Sequence, residues 1–109
     1  MICDAWEIVA VPFPFTDRVA QKRRPALIVS RRAFNQHGRT LMGMIRSSSL
    51  RWPSDCPLQD LASAGLSTQC VVRLKLFTLD NRLIIKRIGK LAGEDQKRVV
   101  SALKSILPF

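Results

Sequence analysis

Histidine is nearly absent from this chain. His37 is the only one, which excludes histidine-pair acid–base chemistry. Cysteine is scarce as well. Cys3, Cys56 and Cys70 are odd in number and widely separated, and they match neither a metal-ligand spacing nor a disulfide framework. They read as reduced, unremarkable thiols. Nothing near them supports an activated thiol paired with His37, so Cys–His nucleophilic catalysis is not expected. No metal and no other cofactor is expected. No apolar run reaches the roughly 18 residues that span a membrane. The N-terminus lacks the basic region and apolar core of a secretion signal. Together these predict a cytoplasmic location and no membrane partner. Internal repeats and low-complexity segments are absent too.

Acidic residues are also few. Only 8 Asp and Glu stand against 18 Lys and Arg, a formal net charge of +10 over 109 residues. That excess makes nucleic acid the leading partner class, with a basic protein kept soluble by its charge as the alternative. Residues 1–54 and 55–109 carry nine basic residues each. A charge spread along the chain fits a folded basic face better than a disordered basic tail. The length predicts one domain, 1–109. An apolar content of 47% is enough for a modest core, so global disorder is not expected.

The pattern along the chain is mostly β. Residues 6–11 read as a short strand rich in β-branched residues, stopped by Pro12 and Pro14, which cannot donate to a ladder. Residues 16–23 read as a polar loop, and 25–30 as a buried strand beginning on Pro25. Residues 31–37 suit a helical turn closed by Gly38. A strand follows at 39–46, and then a Ser-rich loop at 47–57 carrying Trp52-Pro53. Pro57 to Gly65 fits a short strand or one helical turn. From Gln69 to Leu76, Val72, Leu74 and Leu76 alternate with Arg73 and Lys75. This predicts a half-buried strand with its cations on the open face. Asp80-Asn81 is a turn signal, and 82–91 reads as another strand. Val99, Val100, Leu103, Ile106 and Leu107 then fall at helical spacing. Glu94 and Asp95 suit the first turn of that helix, and Pro108 ends it. About five short strands and one terminal helix predict a small, mostly antiparallel barrel with a helix packed on it.

Ile8 to Asp17, with its Val-Pro-Phe-Pro-Phe-Thr-Asp string, followed by Lys22 to Ser30, resembles the MazF/PemK (Kid) toxins of bacterial toxin–antitoxin modules. The resemblance is nearest to the PemK-like branch. Ala33-Phe34-Asn35, Trp52-Pro53-Ser54-Asp55, Ala64-Gly65-Leu66, Val71-Val72-Arg73 and Phe77-Thr78-Leu79-Asp80 follow in the same order as similar strings there. The resemblance implies a PemK/CcdB-type, SH3-like antiparallel barrel, usually a homodimer. It implies a ribosome-independent endoribonuclease acting on single-stranded RNA such as mRNA. It also implies a cognate antitoxin and binding of operator DNA by the toxin–antitoxin complex.

Cutting RNA through its own 2′-hydroxyl leaves a 2′,3′-cyclic phosphate and a 5′-hydroxyl. The enzyme takes a proton from the 2′-hydroxyl, steadies a dianionic phosphorane and protonates the leaving oxygen. Arginine suits the second task, because its fork matches phosphate oxygens. The resemblance assigns Arg24, directly before the Pro-Ala-Leu strand, to the scissile phosphate; the plain alternative is a surface arginine at a strand start. Arg73 matches an arginine given an acid role in Kid-like members, against the alternative of a solvated strand cation. Two positions depart from the family pattern. Where the third strand usually ends in Ile-Thr-Ser, this chain has Ile45-Arg46-Ser47-Ser48, so Arg46 replaces the threonine and Ser47 supplies a hydroxyl only if the strand end shifts. Lys75 stands where Kid-like members carry an aspartate assigned as general base.

The candidate catalytic residues are therefore Arg24, Ser47 and Arg73. The candidate substrate-binding residues are Phe15, Thr16, Arg23, Arg46, Trp52 and Lys75. Trp52 and Phe34 suit base stacking or core packing. Glu7 is a candidate for organising Arg24 across two paired strands, or an ordinary edge-strand acid. Met42 and Met44 read as core. The Arg46 substitution keeps a second reading open, a non-catalytic binder on the same barrel. A gyrase poison of the CcdB type rests on fold analogy alone.

Overall fold

The computed structural model describes residues 1–13, 22–47 and 51–109. Its six strands form one antiparallel sheet, curled into a half-barrel. They are β1 (Glu7–Phe13), β2 (Lys22–Ile28), β3 (Arg39–Arg46), β4 (Cys56–Pro57), β5 (Val71–Asp80) and β6 (Lys86–Lys90), in the spatial order β4-β5-β3-β2-β1-β6. Two one-turn helices, α1 (Arg32–Asn35) and α2 (Leu61–Ala64), sit in the connections. A 14-residue helix, α3 (Gly93–Ile106), closes the chain. Among the described residues, no helix is long and apolar enough to cross a membrane.

Both faces of the sheet are covered, so β1 and the Pro25–Ile28 half of β2 read as near-continuous apolar runs. Ile8, Leu27, Ile45 and Val72 point to one side, where Leu58 just past β4, Ala64 of α2, Leu91 just past β6 and Val99 of α3 meet them. Val9, Val11, Ala26, Ile28 and Met42 point to the other and pack with Cys3, Leu79 and Ile84. Met42 and Met44 are core, as the sequence indicates. Cys3, Cys56 and Cys70 are free and buried. Burial pushes the Cys3 and Cys56 thiols up from their ordinary value, which keeps them protonated and unreactive at neutral pH.

Several element boundaries differ from the sequence expectation: among them, β2 ends at Ile28 and the strand expected over Gln69–Leu76 runs Val71–Asp80. Pro12 does not stop β1, which runs on to Phe13 with Pro12 opposite Arg23. The reason is local: β6 pairs with β1 only from Glu7 to Ala10, so beyond Ala10 that side of β1 carries no ladder bond for a proline to break. Lys22 and Arg23 are strand residues of β2, not loop; the rest of the expected 16–23 loop, and Pro14, lie outside the described residues. The expected strand over 82–91 is a 3₁₀ turn (Asn81–Leu83) followed by β6. The Pro57–Gly65 segment holds the helical turn α2, whose N-terminus is capped by Asp60 through the Ser63 N–H at 3.0 Å.

Two glycines lock α2 to the sheet. Gly65 ends α2 in the left-handed region (φ +73°), and a Cβ there would sit 2.3 Å from the Ile88 carbonyl oxygen. A Cβ on Gly89 would sit 2.5 Å from the Ala64 carbonyl oxygen. Only backbone without a side chain permits this approach. It fixes the start of the 65–70 segment, which borders the candidate site.

Candidate functional site

The register of β2, β3 and β5 gathers arginines on one face. Ala26 of β2 pairs with Met44 of β3, and Met44 pairs with Arg73 of β5. Side chains two apart along a strand share a face. Arg24 and Arg46, each two residues from that row, therefore lie on the same face as Arg73. The Arg24 guanidinium follows this direction and stands 5.9 Å over the Phe13 ring. Arg24 and Arg46 are half-buried, which strengthens their pull on an anion relative to fully solvated cations.

The ends of β2 and β3 border a cleft of about 380 Å³. Arg24, Pro25, Ile45, Arg46 and Ser47 line one side, and Gly65, Leu66, Ser67, Thr68 and Cys70 line the other. Three of the sequence-predicted residues, Arg24, Arg46 and Ser47, thus come together. Ser47 is exposed just past the end of β3. The hydroxyls of Ser67 and Thr68 were not anticipated, because nothing in the sequence tied the segment after α2 to the third strand.

Arg73 is on the expected face, but it is buried and not on an open surface. Its Nε and Nη2 donate to the two Asp55 carboxylate oxygens at 3.2 and 2.9 Å, and the side chains of the pair are 8% and 3% exposed. Trp52 lies against the guanidinium, its ring centroid 4.6 Å from Cζ. The alternation along β5 was read correctly; the turn at 52–55 covers the face it left open. Burial raises the Asp55 pKa, but the Arg73 hydrogen bond, the Trp52 N–H and the Arg73 and Arg51 charges outweigh it. The carboxyl is held below its ordinary value. In the sequence Asp55 stands out only as the last residue of the Trp52-Pro53-Ser54-Asp55 string. The signal for it was the proline at the second position of a Trp-Pro-Ser-Asp turn, with an acid at the fourth.

The remaining candidates are dispersed. Arg23 and Lys75 are exposed. Lys75 sits where Leu74–Leu76 of β5 face the single residue Gly43, an irregularity between the Met42↔Phe77 and Met44↔Arg73 pairs. Phe15 and Thr16 lie outside the described residues. Glu7 does not approach Arg24: it receives a 2.6 Å bond from Arg87, at the opposite end of β1 from the Val11↔Arg24 pair. The core reading of Phe34 and Trp52 is corrected, since they are 50% and 46% exposed.

Residues 4–107 match the family described as PemK-like, MazF-like toxin of type II toxin–antitoxin system. The chain belongs to that family. No curated protein matches it. Among solved structures, it resembles a chain of the MazE–MazF complex (form III) of Deinococcus radiodurans at 25% identity, over 97% of this chain and 96% of that one, with a TM-score of 0.77. A mycobacterial endoribonuclease in complex with its cognate antitoxin is similar at 18% identity, 98% coverage of each chain and a TM-score of 0.77. The Mycobacterium tuberculosis toxin MazF-mt6 is similar at 20% identity, over 91% of this chain and 93% of that one, with a TM-score of 0.74. The last two likenesses concern the fold alone.

Proposed function

We propose that this chain is a metal-independent endoribonuclease toxin that cuts single-stranded RNA, such as mRNA, through its 2′-hydroxyl. The products are a 2′,3′-cyclic phosphate and a 5′-hydroxyl. The observation that carries the reading is that Arg24 and Arg46, at adjoining ends of β2 and β3, lie on the same sheet face as Arg73, in a chain of the MazF-like family. Two arginine forks at one strand end suit an anion whose charge rises from one to two in the transition state. Arg24 stabilises the phosphorane and Arg46 holds the adjoining phosphate. Ser47 donates a hydroxyl hydrogen bond to the same anion. Arg23 and Lys75, exposed on the flanking strands, draw in the RNA backbone. Phe15 and Thr16 belong to the same substrate-binding reading on the sequence resemblance alone.

The reading includes a cognate antitoxin that occupies the site, binding of operator DNA by the toxin–antitoxin complex, and a homodimer. The dimer is supported by a groove of about 520 Å³ along α3, lined by Trp6, Val29, Leu41, Leu76, Leu103 and Leu107 among others, with Phe109 86% exposed beside it. The test is incubation of pure, antitoxin-free protein with single-stranded RNA in chelator, followed by end-group mapping. Arg24→Ala loses about 100-fold or more in cleavage rate while keeping its circular dichroism spectrum. Undiminished cleavage by that variant removes Arg24 from the site.

A further inference from the structure

The stack of Trp52, Arg73 and Asp55 is built with more care than a structural ion pair needs. One carboxylate holds both partners. Asp55 accepts from the Arg73 guanidinium at 2.9 and 3.2 Å and from the backbone N–H of Trp52 at 2.9 Å. The Asp55 N–H closes the turn by donating to the Trp52 carbonyl at 3.1 Å. Pro53, at the second position of that turn, pre-sets its φ. The result clamps the indole flat over a buried cation, with its centroid 4.6 Å from the guanidinium carbon. Such an arrangement leaves little rotamer freedom to lose on binding, and the ring is nonetheless 46% exposed. Core packing does not account for a large aromatic held rigid and left wet.

We propose that Trp52, Arg73 and Asp55 form a preassembled platform for an unpaired nucleobase: Arg73 backs one face of the indole, Asp55 positions both, and the other face takes the base. This rests on the ribonuclease reading and deepens it. Arg73 belongs to the platform and does not donate to the scissile phosphate. Asp55 is a positioning residue, too buried and too strongly held by Arg73 to take a proton from a 2′-hydroxyl. The platform shares the sheet face with Arg24 and Arg46, so a base stacked on Trp52 belongs to the strand whose phosphates those arginines hold. Stacking tolerates any base, so the platform anchors single-stranded RNA without setting the cleavage sequence.

The test uses a short single-stranded 2′-O-methyl oligoribonucleotide of mixed sequence, which has no free 2′-hydroxyl to react. The chain has two tryptophans, so Trp52→Phe leaves Trp6 as the only indole. Titration of the wild type gives saturable quenching of tryptophan emission. Trp52→Phe loses that quenching yet keeps binding within a few-fold by fluorescence anisotropy of the labelled oligonucleotide. Trp52→Ala weakens binding about ten-fold or more and raises KM for a cleavable RNA more than it lowers kcat. Asp55→Asn, checked for fold by circular dichroism, weakens both binding and quenching. Trp52→Ala binding as tightly as wild type, or emission unchanged at full occupancy, overturns the platform while Arg24-dependent cleavage still stands. A wild type that neither binds the oligonucleotide nor cleaves RNA overturns both readings together.

Discussion

Arg46 lines the cleft where the sequence resemblance implies a hydroxyl, and Ser47, the next residue, is exposed at the same strand end. If Ser47 serves as that hydroxyl, Arg46→Thr lowers affinity for RNA about ten-fold through the lost charge contact and retains cleavage. Faster cleavage by Arg46→Thr, measured on the same substrate, would instead favour the non-catalytic binder. Trp6 carries a separate lesson at this scale. It holds a left-handed backbone (φ +73°), a conformation that favours glycine. Two backbone bonds hold it there, from Trp6 N–H to the Ile28 carbonyl at 2.7 Å and from Leu91 N–H to the Trp6 carbonyl at 2.8 Å. Acid sensitivity also starts from single residues. The Arg82 side chain and N–H lower the Asp80 pKa to about 2. A carboxyl depressed on folding contributes its stability above the unfolded pKa of about 3.9 and loses it as pH falls through the folded value. Thermal stability therefore falls from about pH 4 towards pH 2, and Asp80→Asn flattens that limb in a melting series. An unchanged limb would count against the Asp80–Arg82 pairing.

Element boundaries were less legible than element types. The apolar runs announced the strands, and the helical spacing announced α3. Pro12 was misread because its tolerance depends on which neighbour pairs beyond Ala10, a non-local fact. Arg73 was placed on the correct face by alternation, but its burial depends on a turn 18 residues earlier in the chain. Val99 is fully buried, whereas Ile106 is 44% exposed, so the apolar face of α3 is wider than the core it covers. The α2–β6 contact was invisible for a similar reason: nothing in sequence connects Gly65 with Ile88. Gly65→Ala forces a Cβ into the Ile88 carbonyl and strains a left-handed residue. A loss of about 2 kcal/mol or more in denaturant unfolding is expected. A loss below about 0.5 kcal/mol would mean that the 65–70 segment is not held as described.

For the whole molecule, the charge excess pointed to polyanions before any strand was placed, and the ordered strings pointed to the fold. The arginine cleft itself needed the register, since Arg24 and Arg46 are 22 positions apart in sequence and two strands must align to bring them together. Asp55 escaped notice because its importance lies in what it touches. The groove along α3, lined mostly by apolar side chains, is where the proposed homodimer would bury surface. Sedimentation equilibrium in moderate salt is expected to give a dimer, and Leu103→Lys to give a monomer; a monomeric wild type at micromolar concentration would contradict that assembly.

The most direct test of the central claim is end-group analysis of single-stranded RNA treated with wild type and Arg24→Ala in parallel, both free of antitoxin and in chelator. The account predicts fragments with 2′,3′-cyclic phosphate and 5′-hydroxyl ends from the wild type, and about 100-fold fewer from the variant. Fragments with 5′-phosphate ends, or equal cleavage by the two proteins, would contradict it.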